Sequence, residues 1–278
     1  TDVAQYAASL ISQDLILADK QLDIFSGSAG AILGLLNLYD FVSDKNLLKQ
    51  AILCGEHLIA TMTQTPFKTR AWKTSFSSPL TGFSHGSAGI SYALYRLFKV
   101  SGDERFLKTA QEGINFETNV FSSSELNWPD FRWGTELNSH QSYAFSWCHG
   151  APGIGLARLG CYLIQKDPQI RRDIEVALKS TLQSEIRNVD QLCCGNMGLI
   201  EFIFSAGQEF NDQTLVSAAQ ERTKLVLKKA EINGGFQLFD NLSPSIFNPG
   251  LFQGLAGIIY ELTRLVRPSK IPSVLLWN

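Results

Sequence analysis

HGAPGIGLARL, residues 149–159, has the form x-Gly-x-x-Gly followed by an apolar run, and four other stretches share it. They are SGSAGAILGLL (26–36), HGSAGISYALYRLF (85–98), CGNMGLIEFIF (194–204) and QGLAGIIYELTRL (253–265). After the second glycine each copy takes helical spacing. Ile90, Ala93, Leu94, Leu97 and Phe98 fall at i, i+3, i+4, i+7 and i+8, and Ile258, Ile259, Leu262 and Leu265 follow suit. Each copy therefore opens a helix, and self-similarity at this period indicates a repeat architecture.

The segments between copies also read as amphipathic helices. Ile170, Ile174, Ala177, Leu178 and Leu182 share one face behind Asp167-Pro168, a capping residue followed by proline at the first helical position. Similar patterns run from about Asn46 to Thr61, Asp103 to Phe116 and Asp212 to Ala230. Two helices per repeat, without convincing alternating strands, make this an all-α protein. Helices alternating with glycines at one end of every second helix suit a closed or nearly closed ring, one helix layer inside the other, although an open solenoid shares the pattern. Either way the repeat loops gather at one end, and a site is expected there.

At 278 residues and 45% apolar content the chain can bury a sizeable core, as one large domain or two ordinary ones. A formal charge of -2 with 18% charged residues supplies no positive field for nucleic acid or an anionic membrane. No run approaches the roughly twenty apolar residues of a membrane span, and TDVAQYAASLISQDL lacks the regions of a signal peptide, so the chain reads as cytoplasmic. Five cysteines, an odd number without an export signal, argue for free thiols or metal ligands rather than a disulfide framework.

Aligning the second glycines (Gly30, Gly89, Gly153, Gly198, Gly257) separates what the repeats do differently. Four positions earlier stand Ser26, His85, His149, Cys194 and Gln253; five positions earlier stand Phe25, Ser84, Cys148, Cys193 and Phe252. Cys148, Cys193 and Cys194 thus occupy equivalent places in neighbouring repeats, where the fold brings them together. Zinc takes thiolate and imidazole ligands in tetrahedral geometry, and a catalytic site keeps one position open. His149 or His85 either completes the ligand set or stays free beside the metal as an acid or base. His85 has a plainer alternative as a helix cap, Asp23 as a loop or capping carboxylate, and Trp147 as core packing. Cys54 and Cys161 fall on helical faces and read as small apolar residues.

Together, SWCHGAPGIGL, LCCGNMGLIEF, GFSHGSAGI, LDIFSGSAGAILGLL and PGLFQGLAGIIYELTRL resemble the LanC-like cyclases, specifically the C-terminal cyclase domain of class II lanthipeptide synthetases, over nearly the whole chain. The resemblance implies an α/α toroid with a zinc site at one end, held by Cys148, Cys193 and Cys194, with His85 and Asp23 on the family's acid/base positions and His149 as a further catalytic candidate. The family's histidine ligand is replaced here by cysteine, which looks like the Cys-Cys-Gly subgroup of prochlorosin type. The family's ring has seven repeats, so residues 1–278 are expected to be the last five, with the first repeats and a fused or associated dehydratase domain N-terminal to them and PSVLLWN as a natural C-terminus.

The activity so implied is Zn2+-dependent addition of a cysteine thiolate of a dehydrated precursor peptide to dehydroalanine or dehydrobutyrine, giving a lanthionine or methyllanthionine thioether. Two competing readings are a prenyltransferase-like or glycosidase-like α/α barrel and a non-catalytic zinc-stabilised scaffold for thiol peptides or glutathione. A glycosidase needs two facing carboxylates, where these loops offer cysteines and histidines.

Overall fold

The computed structural model describes residues 2–133 and 142–277. Two short helices, α1 (Asp2–Ser9) and α2 (Gln13–Ala18), precede a regular alternation. It consists of α3 (Ser28–Val42), α4 (Lys45–Thr61), α5 (Ser87–Ser101), α6 (Glu104–Val120), α7 (Ala151–Ile164), α8 (Pro168–Gln183), α9 (Asn196–Glu209), α10 (Gln213–Asn233) and α11 (Leu255–Val266). Helices α3, α5, α7, α9 and α11 pack on one another in that order as an inner layer. Helices α4, α6, α8 and α10 each lie outside the inner helix they follow, giving an α/α toroid. A two-stranded hairpin, β1 (Thr63–Gln64) with β2 (Arg70–Ala71), and a 3₁₀ turn at Phe131–Trp133 ornament the loops.

The two layers begin differently, and the sequence explains why. All four outer helices have aspartate N-caps, Asp44, Asp103, Asp167 and Asp212, whose carboxylates accept from the first-turn amides. All five inner helices are capped by the first glycine of the repeat, Gly27, Gly86, Gly150, Gly195 and Gly254, with no side-chain cap bond. The second glycine is a matter of space. A Cβ there would lie 2.1 Å from the Ile24 oxygen at Gly30, 2.0 Å from Phe83 at Gly89, 1.8 Å from Trp147 at Gly153, 2.2 Å from Leu192 at Gly198 and 1.8 Å from Leu251 at Gly257. In each case the obstacle is the carbonyl six residues upstream, so every loop doubles back onto the first turn of its helix.

The central inner helices α7 and α9 are apolar nearly all round because both faces are covered, whereas α11 leaves Ile259 and Val266 exposed. Residues Ala151–Cys161 of α7 and Asn196–Gly207 of α9 are buried without a break. Residues 273–277 cross the inner layer: Tyr92 donates to the Leu276 carbonyl at 2.7 Å and Asn37 to that of Trp277 at 2.6 Å, while the Trp277 ring reaches Phe252 at 6.4 Å. Asn278, the last residue of the expected terminal segment, lies outside the described residues. Among the described residues no helix is long and apolar enough to cross a membrane.

Candidate functional site

Backbone hydrogen bonds tie the five glycine loops to one another side by side. The amide of Ile24 donates to Ser84 (3.1 Å), Ser84 to Cys148 (3.2 Å), Cys148 to Cys193 (3.4 Å) and Cys193 to Phe252 (2.9 Å). Residues aligned by the repeat therefore stand next to one another in space, across 45 positions of sequence between the first two thiols. The N-termini of the inner helices all begin beside this belt, and their positive ends favour negative charge there.

Cys148, Cys193 and Cys194 meet at this end, with their sulfurs all within 4.8 Å of one another. Cys194 Sγ lies 3.4 Å from both Cys148 Sγ and Cys193 Sγ. Tetrahedral zinc at ~2.3 Å from each sulfur would set its thiolates about 3.8 Å apart. The donor set is thus already gathered at close to the required spacing, and the residues present fit the ion. Cys148 Sγ is 3.2 Å from Ser146 Oγ. The S–H groups of Cys193 and Cys194 hold the Cys148 thiol well below its ordinary range, whereas hydrogen bonding to Cys148 pushes Cys194 up to about 12 and raises Cys193 as well. A cation at this point would offset the negative charge of the gathered thiolates. Neither histidine joins this group among the described residues.

His85 Nδ1 lies 2.7 Å from Asp23 Oδ2, although the two are 62 residues apart. Asp23 is 1% exposed and the His85 side chain 29%, so the carboxylate supports the ring from below and the imidazole faces the opening. Asp23 also accepts from the Ser26 amide through Oδ1 at 2.9 Å, which keeps its loop-capping role while serving His85. His85 itself caps nothing: Gly86 occupies the N-cap of α5. His149 is buried, its ring stacked on His85 at 5.9 Å with Nδ1 3.4 Å from the Thr81 carbonyl, and burial pushes its pKa down. Trp147 is core packing, between Phe83 and Phe252 at 5.1 and 5.3 Å. Cys54 and Cys161 are fully buried, and burial pushes both thiols up to about 12.

Three features of the site were not predicted from the repeat alignment. Glu117 of α6 is fully buried beneath the His85 loop, accepting from the Gly82 and Ala88 amides at 3.0 Å each and from Arg158 at 2.8 Å. Arg158 in turn reaches Asp173 at 3.0 Å. Asp130 chelates Arg132 through Nε and Nη2, at 2.6 Å for the shorter contact, which raises the guanidinium's hold on its proton, and the charges of Cys148 and Cys194 add to it. Finally, Phe25 and Phe252 touch across the first and last repeats, beside His85 and Trp147. The D-x-R spacing of residues 130–132 was the one local hint.

The profile of the lanthionine synthetase C-like protein family matches residues 2–276. The lacticin 481/lactococcin biosynthesis protein LcnDR2 of Lactococcus lactis subsp. lactis is 24% identical over 264 residues, which are 91% of this chain and 26% of that protein. The chain thus spans about a quarter of the curated relative it matches. Among solved structures, nisin cyclase superposes with a TM-score of 0.70 at 20% identity, covering 94% of this chain and 68% of that one. A family 76 glycoside hydrolase (mannosidase) of Bacteroides thetaiotaomicron reaches 0.57 at 12% identity, over 87% of this chain and 70% of the other. These likenesses fix the toroid; because a mannosidase shares it, the chemistry must be read from the loops.

Proposed function

Since the chain belongs to the lanthionine synthetase C-like family, we propose that it is a zinc-dependent lanthipeptide cyclase, joining cysteine thiols to dehydrated residues of a peptide. The observation that carries this reading is the convergence, on one belt of loops, of three thiols at metal-ligand spacing and a histidine backed by a buried aspartate. Cys148, Cys193 and Cys194 would hold the ion. Bound there, zinc supplies an open coordination position at which a cysteine thiol loses its proton at neutral pH.

The chain's own groups account for the rest. Asp23 selects the Nδ1–H tautomer of His85, which leaves Nε2 as the atom that handles a proton. His85 takes the thiol proton, and the sulfur lone pair forms the C–S bond at the β-carbon of dehydroalanine or dehydrobutyrine. The alkene electrons move onto the carbonyl as an enolate, and His85 returns the proton at the α-carbon, so nothing is consumed. Asp23 stabilises the transient imidazolium. His149, kept neutral by burial, is a positioning residue that backs the His85 ring. The substrate presupposes a separate dehydration of serine or threonine. Three thiol donors, with cysteine where the resemblance expects histidine, support assignment to the Cys-Cys-Gly subgroup and would make a substrate thiolate held by the ion more nucleophilic than a histidine-containing set would.

The test is metal content followed by turnover. About one zinc per chain, absent from the Cys193→Ala/Cys194→Ala variant, and thioether formation in a dehydrated cysteine peptide are expected. A folded, metal-free wild-type chain would overturn the proposal, and zinc binding without turnover would convert the reading to a thiol-peptide scaffold.

A further inference from the structure

Cyclisation needs two partners, and the thiols with the Asp23–His85 pair account for the nucleophile and the proton. What holds the acceptor alkene is a separate question, since a dehydroamino acid is planar and uncharged and gives an ion pair nothing to grip. The aligned position that carries Cys148 and Cys193 in the third and fourth repeats carries phenylalanine in the first and fifth. Phe25 and Phe252, far apart in sequence, bring their rings to 6.3 Å at a 66° edge-to-face angle.

The pair spans the two halves of the site. Phe25 lies 5.7 Å from the His85 ring, and Phe76 lies 6.0 Å from it. Phe252 rests on Trp147 at 5.3 Å, and its carbonyl accepts the Cys193 amide. Phe252 is half-buried, whereas Phe25 is 61% exposed. A single exposed phenylalanine is unremarkable on a protein surface. One that is braced against a second ring from the far end of the chain and overlooks the proton-handling histidine is a built feature.

Resting on the cyclase reading above, we propose that Phe25 and Phe252 form the acceptor subsite, seating the face of the dehydrated residue and favouring dehydrobutyrine over dehydroalanine. The preference follows from the extra methyl group. Burying one such group is worth ~0.8 kcal/mol, which converts to about fourfold in affinity. Because Phe25 is largely exposed, its removal leaves the core intact.

The experiment uses the full zinc-loaded chain and two pairs of peptides, each pair differing in dehydrobutyrine or dehydroalanine at one position. In the first pair serine replaces cysteine, so only binding is read; in the second the cysteine is present and kcat/KM for cyclisation is read. Wild type should bind the dehydrobutyrine peptide about fourfold more tightly. Phe25→Ala should erase that ratio at unchanged zinc content and Tm, with Phe25→Leu in between. A ratio of one in wild type, or a ratio unaltered by Phe25→Ala, overturns the subsite even if cyclisation proceeds. A Phe25-dependent ratio in binding without any cyclisation keeps the subsite and overturns the cyclase. Absence of both binding and cyclisation overturns the two together.

Discussion

Replacing Glu117 with glutamine should unfold the His85 loop's support without touching a single residue at the site surface. The carboxylate is fully buried, receives two loop amides at 3.0 Å, and neutralises Arg158, which is also fully buried. Removing one partner of a buried ion pair costs about 3–5 kcal/mol, because the remaining charge is left in a poor dielectric. Arg158 keeps Asp173 at 3.0 Å, and glutamine keeps one oxygen for the amides, so the lower end, ~3 kcal/mol, applies here. In a chain of this size each kcal/mol moves Tm by roughly 2–4 °C, giving a fall of about 6–12 °C in thermal unfolding. Gly82 and Ala88 bracket His85, so cyclisation should fall as well, and a parallel metal determination separates that loss from damage to the thiols. Adding Arg158→Met to Glu117→Gln should lower the Tm further, since the buried Asp173 carboxylate then loses its cation. A Tm within about 2 °C of wild type for the single variant would refute the argument, because it would mean that the pair is not charged or that water reaches it.

Cys194→His should slow the addition step: the donor set becomes one unit less negative, the bound thiolate less basic, and its nucleophilicity falls about threefold per unit of pKa, as read by single-turnover kinetics. Alkylation with iodoacetamide at pH 8 should spare Cys54 and Cys161, which are fully buried and whose thiols, raised to about 12, stay protonated well above that pH; peptide mapping that finds either one modified in the folded chain contradicts their burial. Gly153→Ala forces a Cβ to within 1.8 Å of the Trp147 carbonyl and should cost about 3 kcal/mol together with the metal. Gly34→Ala, with nothing within 4 Å and a mid-helix position, should stabilise by about 0.5–1 kcal/mol in denaturant titrations.

Which parts of the site were legible in the sequence follows from how each part is encoded. The thiols were readable because a repeat converts alignment into proximity: Cys148 and Cys193 share a position, so the belt of loops must set them side by side. Helix starts were equally plain, as at Asp167, whose carboxylate accepts from Gln169 and Ile170. Helix ends were less so. The α6 pattern was read to Phe116 but runs to Val120, because Glu117, a buried charge, breaks the apolar rhythm while belonging to the helix. The ion pairs of Arg158 with Glu117 and Asp173 join three helices through side chains whose types say nothing of their partners, and no periodicity encodes them. The aromatic contact between Phe25 and Phe252 was hidden for a related reason: the alignment showed equal positions but gave no sign that the first and last repeats approach each other.

The segment at 273–277 makes the protein something other than a row of neighbours. In a linear repeat array each unit answers only to the next, and unfolding can fray from either end. Here Tyr92 and Asn37 of the first two inner helices grip carbonyls 184 and 240 residues further on. Helices α3 and α5 therefore cannot reach their final stability until residues 273–277 have been synthesised, and once that strap is fastened, loosening any one of these repeats strains the others.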